Sequence, residues 1–366
     1  MEIKIGNKKI DKGNPCFIIA EAGVNHNGDM GLAKKLIDAA KESGVDAVKF
    51  QTFKSEEIVT PQAEQAKYQT ENMGKKESQY DMLKKLELSY QDFRDLKKYC
   101  DEKGTIFLST PHSCEEDVDL VAELCPAIKV ASGDMNNLPF LKYIARKNLP
   151  IILGTGMGTL EEVKEAVEAV CPINKELILL HCTTNYPTPL NEVNLRTIGT
   201  MMKEFDLPIG YSDHTEGIMV SLAAVALGAC VIEKHFTIDK NMPGPDHKAS
   251  LEPKELKEMV EGIRNVEKRL SAKEDSNEIL KDLNIGEALG DGVKKPNPSE
   301  LEVAKVARKS IIARKSIKKG EKIARDMLAI KRPGTGIKPK FLDEILGKTA
   351  KADIEKDELI AQDKLE

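Results

Sequence analysis

From residue 16 onward, short β-branched runs alternate with longer stretches whose apolar residues fall three and four apart. The runs are "CFIIAEAG" (16–23), "AVKFQT" (47–52), "TIFLSTP" (105–111), "AIKVAS" (127–132), "PIILGTG" (150–156), "LILLHCT" (177–183), "PIGYSDH" (208–214) and "CVIEKHFT" (230–237). Between them lie segments such as "MGLAKKLIDAAKESG" and "LEEVKEAVEAVC", which carry the period of amphipathic helices. Strand then helix, eight times over about 250 residues, predicts a closed parallel (β/α)8 barrel of the TIM type. An open doubly wound sheet is the alternative.

The 366 residues exceed what one such barrel needs. We divide the chain into a barrel (1–270), a polar linker rich in Gly, Pro and charge (271–304) and a small domain (305–366). The small domain breaks into very short β-like pieces around "KKGE", "RPGTG" and "EKDE". So many turns leave a thin core, one that leans on a partner surface.

Each predicted strand starts apolar and ends in groups that can do chemistry. These are Glu21; Lys49 and Gln51; Ser109 and Thr110; Lys129 and Ser132; Thr155; Thr183; Ser212, Asp213 and His214; and Glu233 with His235. Parallel barrels carry their active sites at the carboxyl ends of the strands, so this bias locates the site. All six histidines fall in strands or in the loops that follow them. Because side chains alternate, Glu233 and His235 share one face of their strand, as do Ser212 and His214 of theirs, and Lys234 points toward the helices.

His214 and His235 end neighbouring strands, where two neutral imidazoles can meet one divalent cation. With the other positions left to oxygen, an octahedral Mn or Mg suits them better than a closed tetrahedral zinc. Lys49 and Lys129, beside Thr110, Ser132 and Ser212, suit a small substrate bearing phosphate and carboxylate. The plainer alternative pairs those lysines with Glu21, Glu233 or Asp213. "GTGMG" (154–158) lacks both the dinucleotide spacing and a GK[ST], and reads as a tight βα turn.

A net charge of −5, spread along a chain that is 31% charged, argues against nucleic acid or an anionic membrane as partner. No apolar run reaches the ~18 residues of a membrane span, and no signal peptide is visible, so a cytoplasmic location is expected. Seven cysteines without a CxxC pair read as free thiols.

Taken in order, "IIAEAGVNHNGD", "VKFQTFK", "FLSTP", "KVASGDMNNLP", "ILGTGM", "LLHCTTNYPTP", "GYSDHT", "IEKHFT", "PGPDHKASLEP" and "IKRPGTGI" resemble the sialic acid synthase family over essentially the whole chain. The resemblance implies a barrel joined to an antifreeze-like SAF domain, in a homodimer where that domain completes the partner's active site. It implies a transferase that condenses phosphoenolpyruvate with an open-chain N-acetylated mannosamine-type sugar, yielding a nonulosonic acid and phosphate. By position, Lys49, Thr110, Lys129, Ser132, Thr184 and Ser212 would bind phosphoenolpyruvate, and His214 and His235 the metal, Mn2+ before Mg2+ or Co2+. Gln51, Asp134, Tyr186 and Asp246 would bind the sugar. Glu21 would orient the sugar or move its proton. Glu233 would orient a ligand or a bound water, or balance the lysines. Arg332, from the partner chain, would meet the N-acyl end. Two departures touch the pockets: Asp134 stands where the family has Glu, and "TTNYP" puts Thr184 at an Asn position. The wording is closer to the legionaminic acid branch, whose acceptor is a 2,4-diacetamido-2,4,6-trideoxy-mannose. N-acetylmannosamine, and then a pseudaminic acid acceptor, are the alternatives.

Overall fold

A computed structural model describes residues 3–11 and 13–366. A hairpin of β1 (Ile3–Ile5) and β2 (Lys8–Ile10) opens the chain and buries Ile3, Ile5 and Ile10 in the main core. Eight strands follow: β3 (Phe17–Gly23), β4 (Ala47–Thr52), β5 (Ile106–Pro111), β6 (Ile128–Val130), β7 (Ile151–Gly154), β8 (Leu177–Cys182), β9 (Ile209–Asp213) and β10 (Val231–His235). They form one sheet in the order β5-β4-β3-β10-β9-β8-β7-β6, and every paired neighbour is parallel. β5 and β6 end that order but pack side by side, so the sheet curls into a nearly closed barrel. All eight expected strands are present; β6 is the short one, because Ser132–Asp134 turns into a 3-10 helix.

Register fixes which side chains reach the mouth. Along β10, Glu233 stands opposite Ser212 of β9 and His235 opposite Glu21 of β3, and Glu21 in turn stands opposite Lys49 of β4. Lys234, between the two mouth residues, faces outward as alternation requires. Its Nζ lies 2.9 Å from Asp213 Oδ2 and donates to the Thr215 carbonyl at 2.6 Å. Asp213 also accepts from the Ser221 hydroxyl on the helix Met219–Ala226, at 2.6 Å.

Between β4 and the helix Tyr90–Lys103 the chain inserts three short helices, Ser55–Ile58, Lys67–Met73 and Gln79–Lys84. They build a separate apolar cluster from Phe53, Ile58, Val59, Met82, Leu83 and Leu86 with Val24 of the barrel. The stretch 271–304, expected as a linker, carries the helix Ser276–Asp282 and the start of the helix Pro298–Ala307. Ile279, Leu280, Ile285 and Ala288 pack into the barrel's own core, which is what orders it.

The small domain pairs β11 (Ser310–Ala313) with β12 (Leu328–Lys331), antiparallel, around Ile311, Ile317, Ile345 and Ile354. It rests on the barrel of its own chain. Lys309 Nζ lies 2.7 Å from Asp134 Oδ1 with both side chains buried, Arg308 pairs with Glu162 at 2.7 Å, and Val59 bridges to Arg332. No helix among the described residues is long and apolar enough to cross a membrane.

Both side chains of the Lys234–Asp213 pair are fully buried. Lys234→Met strands a carboxylate without its countercharge and is expected to cost about 3–5 kcal/mol in urea unfolding. A loss under about 1 kcal/mol would contradict that account of the pair.

Candidate active site

At the carboxyl ends of the strands a cavity opens, lined by Glu21, Lys49, Gln51, Thr110, Lys129, Ser132, Thr184, Tyr186, Ser212, His214, Glu233, His235, Asp246 and Arg332. Its floor is a chain of alternating charge. Glu21 Oε2 lies 2.6 Å from Lys49 Nζ, Lys49 lies 3.5 Å from Glu233 Oε2, and Glu233 Oε1 lies 3.1 Å from Lys129 Nζ. Neutral groups finish the shell: Lys49 donates to Thr110 Oγ1 at 3.0 Å, Gln51 to Glu21 Oε1 at 2.8 Å, and Ser212 to Glu233 Oε1 at 2.8 Å.

The two carboxylates are tuned apart. Burial raises Glu21 above the ordinary range even though Lys49 opposes it. Burial also penalises the Glu233 carboxylate, but Lys129 and Lys49 together, with the Ser212 hydroxyl, hold it well below that range. Glu233 is therefore a fixed anion flanked by ammonium groups, and Glu21 takes a proton more readily.

His214 and His235 stand with ring centroids 5.6 Å apart, and Tyr186 packs 4.2 Å from the His214 ring. Burial keeps both imidazoles neutral, His214 at about 4 and His235 well below its usual value. His214 Nδ1 donates to the Thr183 carbonyl at 2.7 Å, which turns the lone pair of Nε2 toward the cavity. His235 Nδ1 is buried with no partner. Neutral rings, one oriented from behind and one with an unused nitrogen, fit a divalent cation. No group of three or more His, Cys, Asp or Glu side chains among the described residues could hold one, so oxygen from substrate or water would fill the other positions.

The structure thus brings to this cavity each residue that the resemblance assigned to substrate, metal or catalysis except Asp134, while the strand-end groups Ser109, Thr155, Thr183 and Asp213 do not line it. That carboxylate is buried against Lys309 and accepts from Asn137 Nδ2 at 3.2 Å, and it does not line the cavity. One methylene shorter than Glu, it ends at the ammonium that anchors the small domain, away from the cavity where a sugar contact was expected. Arg332 reaches the mouth from its own chain, where the partner's was expected. Its backbone pairs with Ile58 and Thr60, its Nη1 donates to Gln79 Oε1 at 3.2 Å, and its Nε is buried without a partner. The plainer reading of the lysines also holds, since both pair with carboxylates while lining the cavity.

Sequence reading missed Tyr68, Gln69, Gln79, Met82, Leu83 and Leu86, all of which line the cavity from the insertion. It left His112 without a role, although this ring also lines the cavity with Nδ1 unpartnered. The motif "TPH", a strand end followed by His, was the available signal for His112; the short insertion helices offered none. "GTGMG" is the βα turn expected of it, passing from β7 into the helix Leu160–Val170 capped by Thr159.

Residues 36–275 match the model of the NeuB family, and residues 308–366 that of the SAF domain. The chain is 48% identical to the N,N'-diacetyllegionaminic acid synthase of Campylobacter jejuni over 94% of its own length and 99% of that protein's. It is 45% identical to the protein of the same name from Legionella pneumophila, over 93% of this chain and 94% of the other. Among solved structures, the spore coat polysaccharide biosynthesis protein spsE of Bacillus subtilis superposes with a TM-score of 0.82 at 37% identity, covering 100% of this chain and 99% of that one.

Burial, and then the charge on Glu21, push the Asp246 carboxyl up to about 7. A carboxyl raised above its unfolded value of about 3.9 adds stability that is complete below that pH and lost as pH rises through its folded value. The ligand-free protein should therefore lose stability between about pH 4 and 7, and Asp246→Asn, which cannot ionise, should lose less over that window. Urea midpoints measured across it check this; equal slopes for the two proteins would contradict it.

Proposed function

The chain belongs to the NeuB family, and from that premise we propose that it condenses phosphoenolpyruvate with an open-chain 2,4-diacetamido-2,4,6-trideoxy-mannose to give N,N'-diacetyllegionaminic acid and phosphate. The observation that carries the reading is the Glu21–Lys49–Glu233–Lys129 chain beside two neutral imidazoles in one buried mouth. Ammonium groups already held by carboxylates are positioned for a ligand bearing phosphate and carboxylate, with Thr110, Ser132, Thr184 and Ser212 to meet its oxygens.

In this reading Lys49 and Lys129 hold phosphoenolpyruvate so that its carbon three faces the aldehyde of the sugar. A carbon–carbon bond forms there, water adds at carbon two, and phosphate leaves by cleavage of the C–O bond. Glu21, with its raised carboxyl and its bond from Gln51, orients the sugar and moves a proton at the new hydroxyl. Glu233 stays ionised and fixes both lysines and the Ser212 hydroxyl. Tyr186 and Asp246 meet sugar hydroxyls, and Arg332 offers its unpartnered Nε to an acyl oxygen. A divalent cation held by His214 and His235, manganese by preference, would supply Lewis acidity toward the aldehyde oxygen.

The names of the two relatives favour the trideoxy acceptor, and so does the cavity wall. Val24, Met82, Leu83 and Leu86 line the cavity together with Arg332 and Gln79. Such a wall suits a C6 methyl and acyl methyls better than hydroxyls. Phosphate release with manganese should give a kcat/KM about tenfold or more higher for the diacetamido sugar than for N-acetylmannosamine. Higher turnover of N-acetylmannosamine, or of the pseudaminic acid acceptor, would reassign the substrate, and no release with any of them would end the enzyme reading.

The homodimer is part of the proposal. Two copies that exchange their C-terminal domains keep each contact of the closed chain, made between chains instead of within one. Co-expressed Glu21→Ala and Arg332→Ala chains, each inactive alone, should then recover partial activity. Proven mixed dimers that stay inactive would assign Arg332 to its own barrel.

A further inference from the structure

We propose that Glu300 is a positioning residue that shapes the phosphate end of the cavity through the backbone of two barrel loops. The inference rests on phosphoenolpyruvate as the substrate. Glu300 belongs to the helix Pro298–Ala307, outside the barrel, yet its side chain is buried. One of its oxygens, Oε1, accepts from the Met157 amide at 2.7 Å and from the Thr184 amide at 2.8 Å. The other accepts from the Asn297 amide at 3.0 Å, which ties the carboxylate to the start of its own helix. A single oxygen thus joins the loop after β7 to the loop after β8.

What the two loops carry gives the clamp its purpose. Met157 sits at φ 60°, a left-handed conformation that a residue with a side chain adopts at a cost. It is gripped from both sides, because Arg308, at the end of the Glu300 helix, donates to the Met157 carbonyl at 2.8 Å. With Met157 fixed, the preceding Gly156 amide points at Ser132 Oγ, 2.9 Å away. A side chain on Gly156 would collide with Thr184 Oγ1. That hydroxyl, on the residue whose amide Glu300 holds, is buried with no protein partner. Ser132 and Thr184 line the cavity with Lys129, and together they offer two hydroxyls and an ammonium to a tetrahedral oxyanion. Glu300 does not reach the ligand itself; it fixes the loops from behind and keeps its own charge away from the anion.

The test is calorimetric binding of phosphoenolpyruvate, and separately of inorganic phosphate, to the full-length protein, with steady-state kinetics alongside. Glu300→Ala should weaken both anions about tenfold or more and raise the KM for phosphoenolpyruvate alike, while the KM for the amino sugar stays within about twofold. Glu300→Gln, whose carbonyl oxygen still accepts from both amides, should restore most of the affinity. Adding Met157→Gly to Glu300→Ala should recover part of it, since glycine adopts the left-handed turn without a clamp. Wild-type protein that binds neither anion would remove the substrate reading and the inference with it. Wild-type protein that binds them while Glu300→Ala binds equally well, or a sugar KM that rises as much as that for phosphoenolpyruvate, would overturn the inference alone.

Discussion

Four charged side chains of alternating sign, buried in the barrel mouth, set the terms for everything around them. Glu21, Lys49, Glu233 and Lys129 come from four strands, and all four are buried. Removing one partner from such a chain strands its neighbour at a cost of about 3–5 kcal/mol, so the register of β3, β4, β6 and β10 and the ionisation of the site are one problem. The same low-dielectric setting that makes the chain costly to break would make it effective on the anionic ligand proposed for it, because dipoles and ammonium groups held in place need not reorganise when charge develops.

Much of this was legible in the sequence because it follows from period two. "VIEKHFTID" places Glu233 and His235 on one face and Lys234 on the other, and the structure sends Lys234 outward to Asp213 as alternation demands. Strand ends rich in Lys, Glu, Ser and His likewise announced where the mouth would be. Parallel barrels gather every such end on one rim, so no long-range contact had to be guessed.

What stayed hidden depends on contacts between distant segments. Asp134 follows a strand end, as a ligand-binding residue should, and only its pairing with Lys309, 175 residues away, takes it from the site. The insertion helices that bring Tyr68, Gln79 and Met82 are too short to show a helical stripe. The stretch 271–304 looked like a linker from its Gly, Pro and charge, yet "NPSE" within it is a capping box with Pro at the first helical position, the local signal of the helix that carries Glu300. The polar composition was real; the acid it contains works by bonding to backbone two loops away. The seat of the small domain belongs to the same group of long-range contacts, since no local pattern tells which barrel it will rest on.

The central claim is that this mouth joins phosphoenolpyruvate to an amino sugar with loss of phosphate at carbon, and oxygen labelling addresses it directly. Phosphoenolpyruvate carrying 18O in its bridging oxygen should, in the presence of manganese and the diacetamido sugar, release phosphate that contains the label and leave a nonulosonic acid without it. Label kept in the sugar acid would mean cleavage at phosphorus and would contradict the account.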